Sequence, residues 1–216
     1  GYLEAYEDYD YNVLLDVKRC NERRGILTAN ETTRYFWGFG NTRDAALIIK
    51  IPPGLSVGMI VDMWEQSPTD VGIFGPNAGK GDNLVIVGPN TPSDRIPEPA
   101  DGQDVYKIET DQVYYLLRML GTDEEVEKLI NQVRVYNYGR KPAIKVIDAE
   151  DKFVANYQPR GLAYWEMLHL AINNEVVQER DRLFMYWLKT LGIEKGKPFN
   201  PTERQKRILV EGAKVG

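Results

Sequence analysis

The 216 residues suffice for one substantial domain, and 43% hydrophobic with 27% charged residues is an ordinary globular balance. A net charge of −5 and a pI near 5.1 argue against a nucleic-acid partner, because phosphate binding needs a basic surface. No apolar run approaches the ~20 residues of a membrane span, and the single cysteine, Cys20, excludes an internal disulfide.

The chain opens Gly1-Tyr2 without an initiator Met, so either a leader has been removed or the start is a boundary within a longer protein. Residues 2–22 read as a helix: Leu3, Tyr6, Val13, Leu14 and Val17 recur at steps of three, four or seven. Glu4, Glu7, Asp8 and Asp10 sit where the helix dipole favours negative charge, and Arg19, Arg23 and Arg24 where it favours positive charge. Gly25 is the expected stop. The acidic run matches no calcium-loop spacing and reads as a solvated face.

Residues 26–40 are rich in Thr and aromatics and read as one or two strands. Further strands are expected at 46–51 and 57–64, a short extended piece at 71–74, and a nearly all-apolar strand at 83–87. Proline- and glycine-bearing turns separate them. Residues 88–104 carry four prolines and two glycines, which suits a surface excursion better than a sheet ladder. Two more strands follow at 105–110 and 112–120. Thr122 with Glu125 forms a capping box for a helix at 123–133, and residues 134–138 return toward the sheet. Residues 140–159 read as a connector holding one short strand candidate at 143–147. Three helices follow from Arg160. The last is capped by Asn200, with Pro201 at its first position and Glu203 reaching back, and it runs to the end with no stop signal, which suggests a longer chain.

The expected fold is mainly β with α appendages: an antiparallel, jelly-roll-like β-sandwich over residues 26–139. An N-terminal helix (1–25) precedes it, and a connector (140–159) and a helical segment (160–216) follow.

An ordered series of motifs resembles one bacterial family. It comprises Leu27 through Tyr35, Ile51-Pro52-Pro53-Gly54, Asp62-Met63-Trp64, Thr69-Asp70-Val71-Gly72, Gly75 through Gly81, Leu84 through Pro89, the Arg118 strand and Leu191 through Phe199. The family is the group called domain of unknown function 1254, usually followed by domain of unknown function 1214. Ala29 departs from the family's Pro, and Ala45-Ala46 from its Gly-Pro. The resemblance implies β-sandwich modules, often exported behind a signal peptide, so a periplasmic or secreted location is expected, and otherwise a cytoplasmic one. It also implies a second domain after this chain, and it carries over no catalytic residue.

Gly75 through Lys80 invites a phosphate-loop reading, but the glycine spacing is one residue short, no Ser or Thr follows Lys80, and a strand comes next. A tight loop with glycines at positive φ is the expectation. His169, the only histidine, would have to serve any histidine-based triad or metal site, yet no nucleophile elbow is present. One His and one Cys leave no complement for zinc, and no cofactor is expected. The best site candidates are polar groups set among apolar strands: Asn30, Thr33, Tyr35, Asp62, Trp64, Asp70 and Arg118. Asp62 and Arg118 are expected to be paired, with each other or elsewhere, since a buried lone charge is costly. The bland reading is an ion pair or turn-capping carboxylates; the functional one is a pocket converging with Trp37.

Three functions remain in play, the last and weakest a structural polymer subunit. The first is a binding or assembly module, forming homo-oligomers and contacting the second domain. The second is a metal-free hydrolase or lyase using Asp62, Asp70, Arg118 and Tyr35 on a small organic substrate.

Overall fold

The computed structural model describes residues 11–18, 32–149 and 158–215. The chain divides into two compact units, residues 1–156 and 157–216.

In the first unit, turn chemistry cuts the chain into short strands. They are β1 (Val13–Val17), β2 (Arg34–Asn41), β3 (Leu47–Ile51), β4 (Ser56–Asp62), β5 (Thr69–Gly72), β6 (Asp82–Val87), β7 (Asp104–Lys107), β8 (Gln112–Met119), β9 (Arg134–Asn137) and β10 (Lys145–Asp148). One sheet has the order β10-β1-β2-β8-β4-β5, the other β7-β6-β3-β9. The pairs are antiparallel except β1 with β10 and β6 with β7, which are parallel. Inward residues of the first sheet, among them Leu14, Phe36, Tyr115 and Leu117, meet Leu47, Ile49, Leu84 and Ile86 of the second in one core. The fold is mainly β and sandwich-like, with helices appended.

Helix α1 (Asp123–Ile130) starts at the predicted capping box and tucks Val126 and Ile130 into that core. The excursion after β6 holds one short 3-10 turn, Ser93–Arg95.

The expected N-terminal helix is corrected over its described part. Val13–Val17 is a strand with all five residues buried, hydrogen-bonded to β2 and β10. Val13, Leu14, Leu15 and Val17 satisfy helical spacing as easily as strand spacing, and Asn12 at φ 66° breaks any helix running into it. The acidic cluster at 4–10, the arginines at 19–24, Cys20 and Gly25 lie outside the described residues. Residues 140–149 are not only a connector, because β10 closes the edge of the larger sheet beside β1.

In the second unit, α2 (Leu162–Asn174), α3 (Arg182–Thr190) and α4 (Glu203–Val215) pack around Ile172, Ile193 and Leu209. Trp165 Nε1 donates to the Leu209 carbonyl at 2.7 Å. The cap of α4 is Thr202, not Asn200: Thr202 N donates to Gln205 Oε1 at 2.7 Å and Gln205 N returns to Thr202 Oγ1 at 3.3 Å. The box needs Ser or Thr three residues before Glu or Gln, and Thr202 with Gln205 supplies it. Among the described residues no helix is long and apolar enough to cross a membrane.

Gly38 locks the larger sheet. The Tyr115 hydroxyl donates to the Val13 carbonyl at 2.8 Å, and a Cβ on Gly38 would lie 2.0 Å from that same oxygen. Tyr115→Phe should lower unfolding free energy by about 1–2 kcal/mol, the cost of a lost buried hydrogen bond. Gly38→Ala should cost more, by forcing β1 away from β2. Urea denaturation of both variants checks the order, and equal midpoints would refute it.

Candidate functional site

On β8 the side chains alternate strictly: Val113, Tyr115, Leu117 and Met119 are buried in the sandwich, while Gln112, Tyr114, Leu116 and Arg118 face the other way, half-buried. β2 pairs with β8 so that Tyr35 lies opposite Arg118, Trp37 opposite Leu116 and Phe39 opposite Tyr114. β4 lies on the other side, with Val57 opposite Arg118 and Met59 opposite Leu116. These rows form the outer face of the larger sheet. Leu15, Val17, Trp37 and Ala149 are buried there, with Tyr35, Tyr114, Leu116 and Ile147 packed against them. Over β4 the face opens, and Met59 is 39% exposed.

Arg118 sits at one end of this layer. Its Nε and Nη2 both donate to Thr33 Oγ1 at 3.1 Å, and its guanidinium lies 5.1 Å from the centre of the Tyr35 ring. Tyr35 in turn contacts Trp37 at 6.3 Å between ring centres. Thr33, Tyr35 and Arg118 therefore meet, 85 residues apart in sequence at the widest.

The other candidates are elsewhere. Asp62 is not paired with Arg118. It shares the inward parity of Gly58 and Ile60 on β4 and is buried, while Arg118 faces outward. Its Oδ1 accepts from Trp64 N at 2.8 Å and Gln66 N at 2.9 Å, closing a turn in which Glu65 has φ 58°. Asp62 lies opposite Val113, five residue steps along β8 from Arg118, about 17 Å at strand rise. Trp64 belongs to the same turn. Asp70 shares the outer face but lies exposed on the edge strand β5, opposite Met59. Asn30 lies outside the described residues.

The loop from Gly75 to Gly81 is a tight turn with Ala78, Gly79 and Gly81 at φ 49°, 77° and 98°, and it leads into β6 rather than a helix. Asn77 Nδ2 donates to Asp82 Oδ1 at 3.1 Å and Asp104 Oδ2 at 2.9 Å, so the loop is stitched to the starts of β6 and β7. His169 Nε2 donates to the Lys197 carbonyl at 2.7 Å, with its ring 5.6 Å from Phe199, which ties a turn to α2. Among the described residues no three metal-ligating side chains cluster.

Two buried polar centres were not read from the sequence. Asp16 accepts from Arg34 at both Nε and Nη2, and Arg34 also meets Glu127 at 2.7 Å. Hydrogen bonding to Asp16 first, and then to Glu127, raises the Arg34 pKa above its usual value and keeps it charged. Asp111, fully buried, accepts from Arg43 Nε at 2.9 Å, Asn90 N at 3.2 Å and Asn90 Nδ2 at 2.9 Å, joining three loops. Both are structural ties. The outward aromatic row, by contrast, was readable: period-two alternation in residues 112–119 alone puts Tyr114, Leu116 and Arg118 on one face.

The family model described as Protein of unknown function (DUF1254) matches residues 12–137, more than half of the chain. The chain belongs to that family. The DUF1254 match covers β1 through β9, beginning before the first resembling motif at Leu27 and ending before β10 and the helical unit. The fold is also similar to that of the VPA0106 protein from Vibrio parahaemolyticus, with a TM-score of 0.64 and 15% sequence identity over 97% of this chain and 50% of that one. The chain thus spans about half the length of that protein, and a likeness at this identity shows the fold. No curated protein matches the chain.

If Asp62 only closes a turn, Asp62→Ala should destabilise by about 1–3 kcal/mol, leaving two buried amide donors unmet. Asp70→Asn should stay within about 0.5 kcal/mol of wild type, as exposed substitutions do. Chemical denaturation measures both, and a larger loss at Asp70 than at Asp62 would contradict the assignment.

Proposed function

We propose that this DUF1254 member is a binding module whose ligand site is the outer face of its larger sheet. The observation that supports this reading is the layer built by alternate residues of β2 and β8, packed on one side and open at Met59 on the other. A concave or half-covered apolar surface with few polar anchors is the usual form of a small-ligand site. The enzyme reading has less support, since the carboxylates it needs lie apart from Arg118 and Tyr35: Asp62 on the opposite sheet face and Asp70 on the edge strand.

An assembly role has its own support in the helical unit. Leu183, Phe184, Tyr186 and Trp187 of α3 are each more than half exposed. At 150–250 Å² for a fully exposed aromatic, they present roughly 400 Å² of apolar surface, the size of patch that on monomers is often functional. The occupant proposed for it is a second copy of the chain, because a two-fold axis lets one such face cover itself.

Thermal-shift screening of small aromatic and aliphatic compounds should yield ligands that raise the midpoint, by stabilising the fold by about 2.7 kcal/mol at a hundredfold excess over Kd. Met59→Lys should remove that rise while leaving the unliganded midpoint nearly unchanged. Ligands indifferent to Met59→Lys would place the site elsewhere. For assembly, light scattering should give a dimer that Trp187→Asp converts to monomer, and a wild-type monomer at high micromolar concentration would end that reading.

A further inference from the structure

We infer that Arg118 is the anion-recognition group of the outer-face site and that the ligand is a small organic monocarboxylate with an apolar or aromatic body. The inference rests on the binding reading above and names the class of ligand.

Its basis is a contrast between arginines. Arg34 is matched by Asp16 and Glu127, and Arg43 by Asp111. Arg118, half-buried in an aromatic layer, has no acid among the described residues; its hydrogen-bond partner is the Thr33 hydroxyl. A neutral hydroxyl does not offset the desolvation of a cation as a carboxylate does. A guanidinium carries five N–H donors. Two of Arg118's converge on Thr33 Oγ1, so the Nε–Nη2 edge is taken. The remaining three include the end-on pair from Nη1 and Nη2, which can grip both oxygens of one carboxylate at about 2.8 Å.

The Tyr35 ring holds the guanidinium plane, so its orientation is set before a ligand arrives. Among the described residues, the nearest outer-face acid in register is Asp70, two strands across and two residues along, about 12 Å away. It is too far to neutralise Arg118. A single guanidinium with no acid partner among the described residues calls for a monoanion. Leu116 and Met59 lie next to it on the same face, so the body of a molecule anchored at Arg118 would rest on apolar surface.

The test uses matched acid and amide probes: benzoate against benzamide, and 4-phenylbutyrate against 4-phenylbutyramide. Affinities are measured by calorimetry or amide-resonance titration on the wild-type chain, Arg118→Lys and Arg118→Met, with circular dichroism confirming that each variant is folded. Each acid should bind at least tenfold more tightly than its amide in the wild type. Arg118→Met should bring the ratio to within about twofold, and Arg118→Lys, which keeps the charge but loses the fork, should fall between. Acid and amide binding equally, both abolished by Met59→Lys, would overturn the charge recognition and leave the outer-face site standing. An acid preference unchanged in Arg118→Met would remove Arg118 from the role. Should no acid bind while neutral compounds do, the inference falls alone; should nothing bind, both readings fall.

Discussion

The interior of the larger sheet turns on β8, a strand hydrogen-bonded along its whole length to β2 on one side and β4 on the other. Its inward residues Val113, Tyr115, Leu117 and Met119 are committed to the sandwich core. Because side chains alternate with a period of two, that commitment also fixes which residues face outward. A slip of one residue would exchange the two sets, burying Arg118 in the core and exposing Leu117. The Tyr115 hydroxyl, reaching the Val13 carbonyl through the space left by Gly38, works against such a slip by tying β8 to β1 across β2. The outer aromatic row is thus a consequence of how the core is packed.

The charges of this unit divide by how they are satisfied. Asp16 with Arg34 and Asp111 with Arg43 and Asn90 are internal ties in which each carboxylate has several donors. Breaking one such tie strands a buried charge, at a cost of about 3–5 kcal/mol, so these centres hold loops and strand ends in place. Arg118 is different in kind. Its ring contact and hydroxyl partner orient it without neutralising it. The same chemistry closes on an acid of the chain at Arg34 and Arg43, whereas among the described residues no acid meets Arg118.

Much of the fold was legible because turn residues punctuate it. Pro52-Pro53-Gly54, the Gly75 through Gly81 loop and the prolines of 88–104 delimit strands found close to where they were expected. The Thr122–Glu125 box was local, and so readable. Val13–Val17 was not, because a five-residue strand buried on both faces, with Asp16 its one charged member, carries no period of its own. Asp16 and Asp111 stayed hidden for another reason: their partners come from distant strands and loops, which register brings together but sequence does not. Thr33, Tyr35 and Arg118 were each picked out as unusual polar residues, but only the β2–β8 register puts them in contact, and it leaves Asp62 and Trp64 in a turn at the far end of β4.

Opposite faces also limit what the site can do. Asp62 and Arg118 stand on neighbouring strands, yet the sheet itself lies between their side chains. No rotamer change brings the carboxylate round, and a register slip that did so would bury the arginine. Proton transfer needs a base within about 3 Å of the reacting group or one water away, and the outer face offers a cation, hydroxyls and aromatic planes in that range. Such a set can desolvate a molecule, fix its charged end and hold its body flat against the sheet. Those are the attributes of recognition, and they follow from the alternation of β8 together with its register against β2 and β4.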